Sequence, residues 1–196
     1  MKTLKPISTL LVMLLTVSSL LVACQHNVRP IDSASDRPTY AHVQNVEVPG
    51  ISNFSRTGME AGFGGATQPS AMGWLKDDGF VSVINLRLAS EEGVELDASR
   101  AAAGAVGLNY IHLPLDTDNV DPQIIDDFLA AVRNELNQPV YVHCGSGTRA
   151  AALWMIKRVT VDSWDIDEAS QEARAIAEKP DAAVAFATAY ISTHQN

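Results

Sequence analysis

Residues 140–149 constrain the fold of this chain more than any other stretch. Val140-Tyr141-Val142-His143 has the β-branched and aromatic character of a short buried strand. Gly145 and Gly147 flank Ser146 just after it, so the backbone can turn within a few residues, and Thr148 to Val159 carries Ala, Leu, Met and Ile at helical spacing. A strand that turns at once into an apolar helix belongs to a sheet whose faces are covered. The alternation recurs upstream. Val81 to Leu86 reads as a strand buried on both faces, Glu91 to Val106 as a helix closed by Gly107, and Asn109 to Leu113 as the next strand. Asp121-Pro122 supplies a cap and a first-turn proline for a helix in which Ile124, Ile125, Phe128, Leu129, Val132 and Leu136 recur at three and four, as far as Asn137. Two further helices are expected near Ile166 to Ala177 and Asp181 to Thr193. Before all of these, Val46 to Val48 and Phe54 to Met59 read as short edge strands. The glycine-rich Gly62-Phe63-Gly64-Gly65, in which no strand is assigned, a turn at Thr67 to Ser70 and a helix from Ser70 to Asp78 follow. The expectation is an α/β fold in three layers, with a mainly parallel central sheet flanked by helices. Ligand sites in such sheets lie beyond the carboxyl ends of the strands, where Cys144 falls.

The segment ahead of this body has a different character. Lys2 and Lys5 precede an apolar run from Leu10 to Leu21, too short for a comfortable membrane span, and small Ala23 stands before Cys24. Residues 1–23 therefore read as an export signal. The junction Leu21-Val22-Ala23-Cys24 resembles the lipobox of bacterial lipoproteins, which implies lipid modification of Cys24 and a membrane anchor. Gln25 after it implies sorting to the outer membrane, facing the periplasm. Residues 24–42, with scattered Pro, Ser and Asp, read as a flexible tether, and residues 43–196 as one catalytic domain.

Charge excludes one class of partner. The 196-residue chain has 14 basic and 23 acidic residues, and without Lys2 and Lys5 the balance is 12 against 23, or −11. A nucleic-acid partner needs clustered positive charge and is not expected. No metal or other cofactor is expected either, because His26, His42, His112 and His194 stand without ligand spacing.

The chemistry is expected at Cys144. Gly145, Ser146, Gly147 and Thr148 would point successive N–H groups inward, and the following helix adds its positive end, so the loop is an anion cradle. A thiolate is the first anion such a cradle can stabilise. Arg149 has the planar fork that holds two oxygens of a bound oxyanion. His143, next to the nucleophile along a strand, should face the other way and orient the loop through hydrogen bonds. With Cys24 lipidated, Cys144 is the remaining thiol, expected to be exposed and reactive.

This pattern resembles the phosphate-binding loop of cysteine-dependent tyrosine and dual-specificity phosphatases, with four rather than five residues between Cys144 and Arg149. The shorter Cys-x-Ser-Gly-x-Arg spacing is similar to that of the bacterial phosphatase-like domains related to beta-lactamase-hydrolase-like proteins. Ala66 to Pro69, Gly79 to Arg87, Glu91-Glu92, Gly107 to Pro114 and Ala151 to Trp154 extend the likeness. The resemblance implies a dual-specificity-phosphatase-like fold and hydrolysis of phosphate monoesters, in proteins or small molecules, through a phosphocysteine on Cys144. A phosphatase of this kind also needs an acid on a neighbouring loop for the leaving group. Asp116, 28 positions before Cys144, is the first candidate and Asp118 the second, whereas Asp121 is expected to cap its helix. Arg87 either adds a contact to the oxyanion or pairs with Glu91 or Glu92.

Two other readings stay open. The short loop also suits a rhodanese-like sulfurtransferase carrying a persulfide on Cys144, and Ala150 stands where tyrosine phosphatases have a hydroxyl residue. A non-catalytic anion-binding module is the third.

Overall fold

A computed structural model of the protein describes residues 42–194. The signal segment, Cys24 and the tether up to residue 41 lie outside the described residues. Among the described residues, no helix is long and apolar enough to cross a membrane.

Six strands form one sheet: β1 (Val43–Asn45), β2 (Ser55–Thr57), β3 (Ala61–Gly64), β4 (Ser82–Asn85), β5 (Asn109–His112) and β6 (Val140–His143), in the spatial order β1-β2-β3-β6-β4-β5. β3, β6, β4 and β5 run parallel, while β1 and β2 add antiparallel pairing at one edge. The register sets Gly64, His143, Asn85 and His112 in one row across the parallel strands. That row is the carboxyl edge from which the loops leave.

Helices cover both faces. On one side α1 (Met72–Asp77) and α2 (Leu96–Ala105) pack with Phe54, Phe80, Val83 and Tyr141. On the other, α3 (Pro122–Arg133), α4 (Thr148–Thr160), α5 (Ile166–Ile176) and α6 (Pro180–His194) enclose Val140, Val142 and Cys144. The period of two along β6 thus sends Tyr141 to one core and the nucleophile candidate to the other. Every residue of α4 from Ala150 to Arg158 is buried, which makes it the central helix of its layer. The two cations of that stretch are compensated. Arg158 donates to both oxygens of buried Glu172 at 2.8 and 3.0 Å, and Thr57 donates to the same carboxylate at 2.7 Å, which ties α5 to α4 and β2.

The three-layer expectation holds, with four corrections. The stretch Gly62 to Gly64, in which no strand was expected, belongs to β3, a strand inside the sheet. Side-chain periodicity is silent there because the glycines make room for rings. A Cβ on Gly62 would lie 2.5 Å from Phe80, and one on Gly64 would meet the Tyr141 hydroxyl. The first strand is Val43–Asn45 rather than Val46 to Val48. The helix expected from Glu91 starts only at Leu96, because Gly93 takes φ +70° and the Glu91 carboxylate accepts from the Leu88 N–H at 2.8 Å, closing a turn. α3 ends at Arg133, where Asn134 leaves helical geometry and caps a short 3-10 turn, so Leu136 stands 82% exposed instead of completing the apolar stripe.

Candidate active site

The loop after β6 is built against the end of β3. The Cys144 N–H donates to the Gly64 carbonyl at 3.2 Å, the Ala66 N–H to the Gly145 carbonyl at 3.0 Å, and Gly65 and Ser146 form an isolated antiparallel bridge. Gly147 then turns at φ +88° and serves as the N-cap of α4. A side chain there would be strained by that dihedral, and its Cβ would lie 2.8 Å from the Asn53 amide nitrogen. Asn53, itself left-handed at φ +54°, donates to the Ser146 carbonyl at 2.9 Å and to the Ile176 carbonyl at 3.2 Å, so the loop is fastened to the end of α5.

Cys144 is a free thiol beneath this loop. The Gly147 N–H donates to its sulfur at 3.1 Å. It is only 1% exposed and belongs to the core cluster that holds Val142 and Trp154, which corrects the expectation of an exposed thiol. The N–H groups of Gly145 and Ser146 donate to no protein acceptor among the described residues, and the first N–H groups of α4 have no intrahelical partner. Those donors remain for an anion.

Arg149 is held in a defined pose. Its Nη1 and Nη2 donate to Glu91 Oε1 and Oε2 at 2.7 and 2.9 Å, and Nη1 also reaches the Leu86 and Leu115 carbonyls at 3.2 and 3.1 Å. A guanidinium has five N–H bonds. The end-on fork is committed to Glu91 and the two carbonyls, which leaves the side-on pair, Nε–H and the outer Nη2–H, to grip an oxyanion. Arg87 supports the same carboxylate, its Nε donating to Glu91 Oε2 at 3.1 Å and its Nη2 to the Glu92 carbonyl at 2.6 Å. Of the two roles expected for Arg87, the structure has the pairing. Partial burial would raise the Glu91 carboxyl, but hydrogen bonds from Arg149, the Leu88 N–H and Arg87 outweigh it and hold the group down at about 2. Burial opposes the charge on Arg149, yet its bond to Glu91 and the field of Cys144 keep it above its ordinary value. Glu91, named from the sequence within the family likeness and as a possible partner of Arg87 but given no role toward Arg149, is thus the residue that orients the candidate phosphate-binding arginine.

His143 faces the layer opposite Cys144 and stacks on Tyr141 with ring centroids 5.7 Å apart and planes at 11°. Neither ring nitrogen has a hydrogen-bond partner, so the expected orientation through hydrogen bonds is replaced by packing, with the Gly65 and Cys144 backbone acting on the ring only as nearby dipoles. Burial pushes the imidazole down to about 3, so it is neutral. Tyr141 in turn shares a 2.8 Å hydrogen bond with Thr67, and burial pushes its phenol up. His112 belongs to β5, and its Nε2 donates to the Arg87 carbonyl at 2.8 Å.

The acidic loop lies beside the arginine, because Arg149 binds the carbonyl of Leu115, one residue before Asp116. Asp116 is half-buried and its Oδ1 accepts from the Asp118 N–H at 3.0 Å, while Asp118 is exposed. Asp121 caps α3 as expected, accepting from the Gln123 N–H at 3.0 Å. A cavity of about 400 Å³ opens against the nucleophile loop, lined by Ser146, Thr148 and Arg149, by Thr117 of the acidic loop, and by Lys179 and Phe186 from the C-terminal region. Ser146 and Thr148 hydroxyls are 3.0 Å apart at its wall. Lys179, Phe186 and Asn53 were not foreseen. Each arrives from a distant segment, and none sits in a motif. No cluster of His, Cys, Asp and Glu suited to a metal occurs among the described residues.

A family model described as beta-lactamase hydrolase-like protein, phosphatase-like domain, matches residues 61–161. A beta-lactamase hydrolase-like protein of Agrobacterium fabrum is 33% identical over 84 residues, which are 42% of this chain and 19% of that protein. The matched region is thus about a fifth of the length of this curated relative. Among solved structures, P. aeruginosa TpbA in complex with phosphotyrosine superposes with a TM-score of 0.60 at 20% identity, covering 78% of this chain and 90% of that one. The core catalytic domain of the S. cerevisiae PP-IP phosphatase SIW14, in complex with citrate, gives 0.58 at 19% identity, covering 76% and 96%. These two likenesses are of fold.

Proposed function

The chain belongs to the family of phosphatase-like domains of beta-lactamase hydrolase-like proteins, within the cysteine-dependent phosphatase superfamily, and from that premise we propose that it hydrolyses phosphate monoesters through a phosphocysteine on Cys144. The phosphate sits in the loop from Gly145 to Thr148 with its oxygens on backbone N–H groups and on the side-on fork of Arg149. The Cys144 thiolate attacks phosphorus, an S–P bond forms, and the ester P–O bond breaks as Asp116 gives its proton to the leaving oxygen. Water then attacks the phosphocysteine and yields its proton to Asp116, the S–P bond breaks, and phosphate leaves with the thiolate regenerated. Arg87 and His143 act from behind, the first by holding Glu91 and the second by packing under the strand that carries Cys144.

The observation that carries this reading is the convergence on one loop of three things: a sulfur with an N–H at 3.1 Å, backbone donors without protein acceptors, and an arginine whose second fork is left open by Glu91. The test is phosphate release from p-nitrophenyl phosphate by the full chain, abolished by Cys144→Ser. Thiocyanate formed from thiosulfate and cyanide, without phosphate release, would instead establish the sulfurtransferase reading, and neither activity would leave an anion-binding module.

The same reading places the enzyme in a bacterial cell envelope, held to the outer membrane by a lipid on Cys24 and facing the periplasm, as the Leu21 to Gln25 junction supports. Metabolic labelling with palmitate, lost in Cys24→Ser, tests it.

A further inference from the structure

We propose that Lys179 forms a second anion subsite and selects phosphomonoesters that carry another anionic group beside an apolar body. The proposal rests on the phosphatase reading for the position of the first phosphate.

Lys179 is joined to the nucleophile loop through its backbone. Its N–H donates to Thr148 Oγ1 at 3.2 Å, so the root of the side chain is fixed next to the cradle rather than floating at the end of α5. Lys179 is exposed and lines the cavity, where Arg149 is the other charged residue, and no carboxylate contributes to the wall. In a chain of net charge −9, a cavity walled by two cations and no acid is a selective environment. The two cations differ in what they have left to give. Arg149 has a carboxylate partner in Glu91, which it shares with Arg87. Lys179 has no carboxylate partner among the described residues; Asp181, two positions on, is engaged by Arg174 at 2.6 Å. Of the two cations in the wall, Lys179 is the one without a carboxylate partner among the described residues.

The cavity also exceeds the needs of a phosphate. Its volume of about 400 Å³ falls in the range of roughly 300–1,000 Å³ of sites that enclose whole small ligands. Ala182, Ala183 and Phe186 make the wall beyond Lys179 apolar, and Phe186 and Thr117 continue into a neighbouring groove with Val120 and Tyr190. The ligand this wall fits has its phosphate on the cradle, its apolar part against Phe186, and a carboxylate or second phosphate at Lys179.

The experiment compares kcat/KM of the full chain for phenyl phosphate and for a phenyl phosphate bearing a carboxymethyl group on the ring. The wild type should prefer the carboxymethyl compound through KM by about 5-fold, the effect expected of one exposed charge pair, and added salt should erode the preference. Lys179→Ala should abolish the preference while leaving phenyl phosphate turnover within about 2-fold, Lys179→Glu should reverse it, and Lys179→Arg should restore it. Equal use of both substrates by the wild type, or a preference unchanged in Lys179→Ala and Lys179→Glu, would overturn the proposal. If neither compound is hydrolysed the phosphatase reading fails, and calorimetric binding of the two compounds to Cys144→Ser and its Lys179→Ala double variant decides the subsite by the same pattern.

Discussion

Glu91 and Arg149 are bound fork to fork, 58 positions apart in sequence, at 2.7 and 2.9 Å. Because Glu91 takes the end-on pair of N–H groups, the guanidinium plane is fixed and the side-on pair is left uncommitted by Glu91. Replacing Glu91 with Gln leaves the carboxamide able to accept only one of these bonds and removes the charge that Arg87 and Arg149 share. We expect kcat/KM on an aryl phosphate to fall by about 10- to 100-fold, as misplaced catalytic groups typically do, with the Cys144 thiol still present to alkylating reagents. Retention of full activity would show that Arg149 needs no orienting partner.

The loop depends on one left-handed residue. Gly147→Ala places a Cβ at φ +88° and 2.8 Å from the Asn53 amide, so we expect a loss of about 1–3 kcal/mol in urea unfolding, together with reduced turnover. Gly104→Ala is the control: its Cβ meets nothing within 4 Å in the last turn of α2, and alanine there should be neutral or gain up to about 0.5 kcal/mol.

The two acids should separate by leaving group. Asp116→Asn should slow hydrolysis of an alkyl phosphate by about 10²–10⁴-fold and p-nitrophenyl phosphate much less, because only the poor leaving group needs the proton. Asp118→Asn, at an exposed residue whose N–H already serves Asp116, should stay within about 2-fold for both. The opposite ranking would move the acid to Asp118.

How much of this was readable from residue order alone follows physical range. The strand, glycine turn and helix around Cys144 are written in neighbouring residues, and so is the Asp121 cap. β3 was missed because its glycines have no side chains to show a period. Glu91 was visible within the Glu91-Glu92 likeness and as a local partner for Arg87 at i+4, and nothing short-range announces that both its oxygens also serve Arg149. Lys179 and Asn53 reach the loop through bonds 31 and 93 positions long. Such contacts are decided by how layers close, after the elements themselves are set.

Stability should fall with acid in two windows. His143, neutral in the fold with its value near 3, binds fewer protons than in the unfolded chain below its ordinary 6.5, and Glu91, near 2, does the same below its ordinary 4.5. Each contribution is complete above the ordinary value and is lost as pH falls through the folded one, at about 1.4 kcal/mol per pH unit at most for one group. His143→Phe keeps a ring against Tyr141 and should flatten the urea midpoint between pH 6.5 and 4.5, where His143 acts without Glu91, and should leave only the Glu91 share of the slope below that. An unchanged slope in that variant would assign the acid sensitivity to other groups.

The Asn53 clamp bears on how this domain can be cut out and moved. The family match runs from residue 61 to 161, and that span holds Cys144, Arg149, Glu91 and Asp116. Asn53 lies before it; Ile176, Lys179 and Phe186 lie after it. A cassette trimmed to the matched span would keep every reacting group yet lose the residue that pins the Ser146 carbonyl and the wall that closes one side of the cavity. The unit that recombination or engineering could transplant intact is therefore wider than the recognisable motif on both flanks, and its outer limits are set by what fastens the loop.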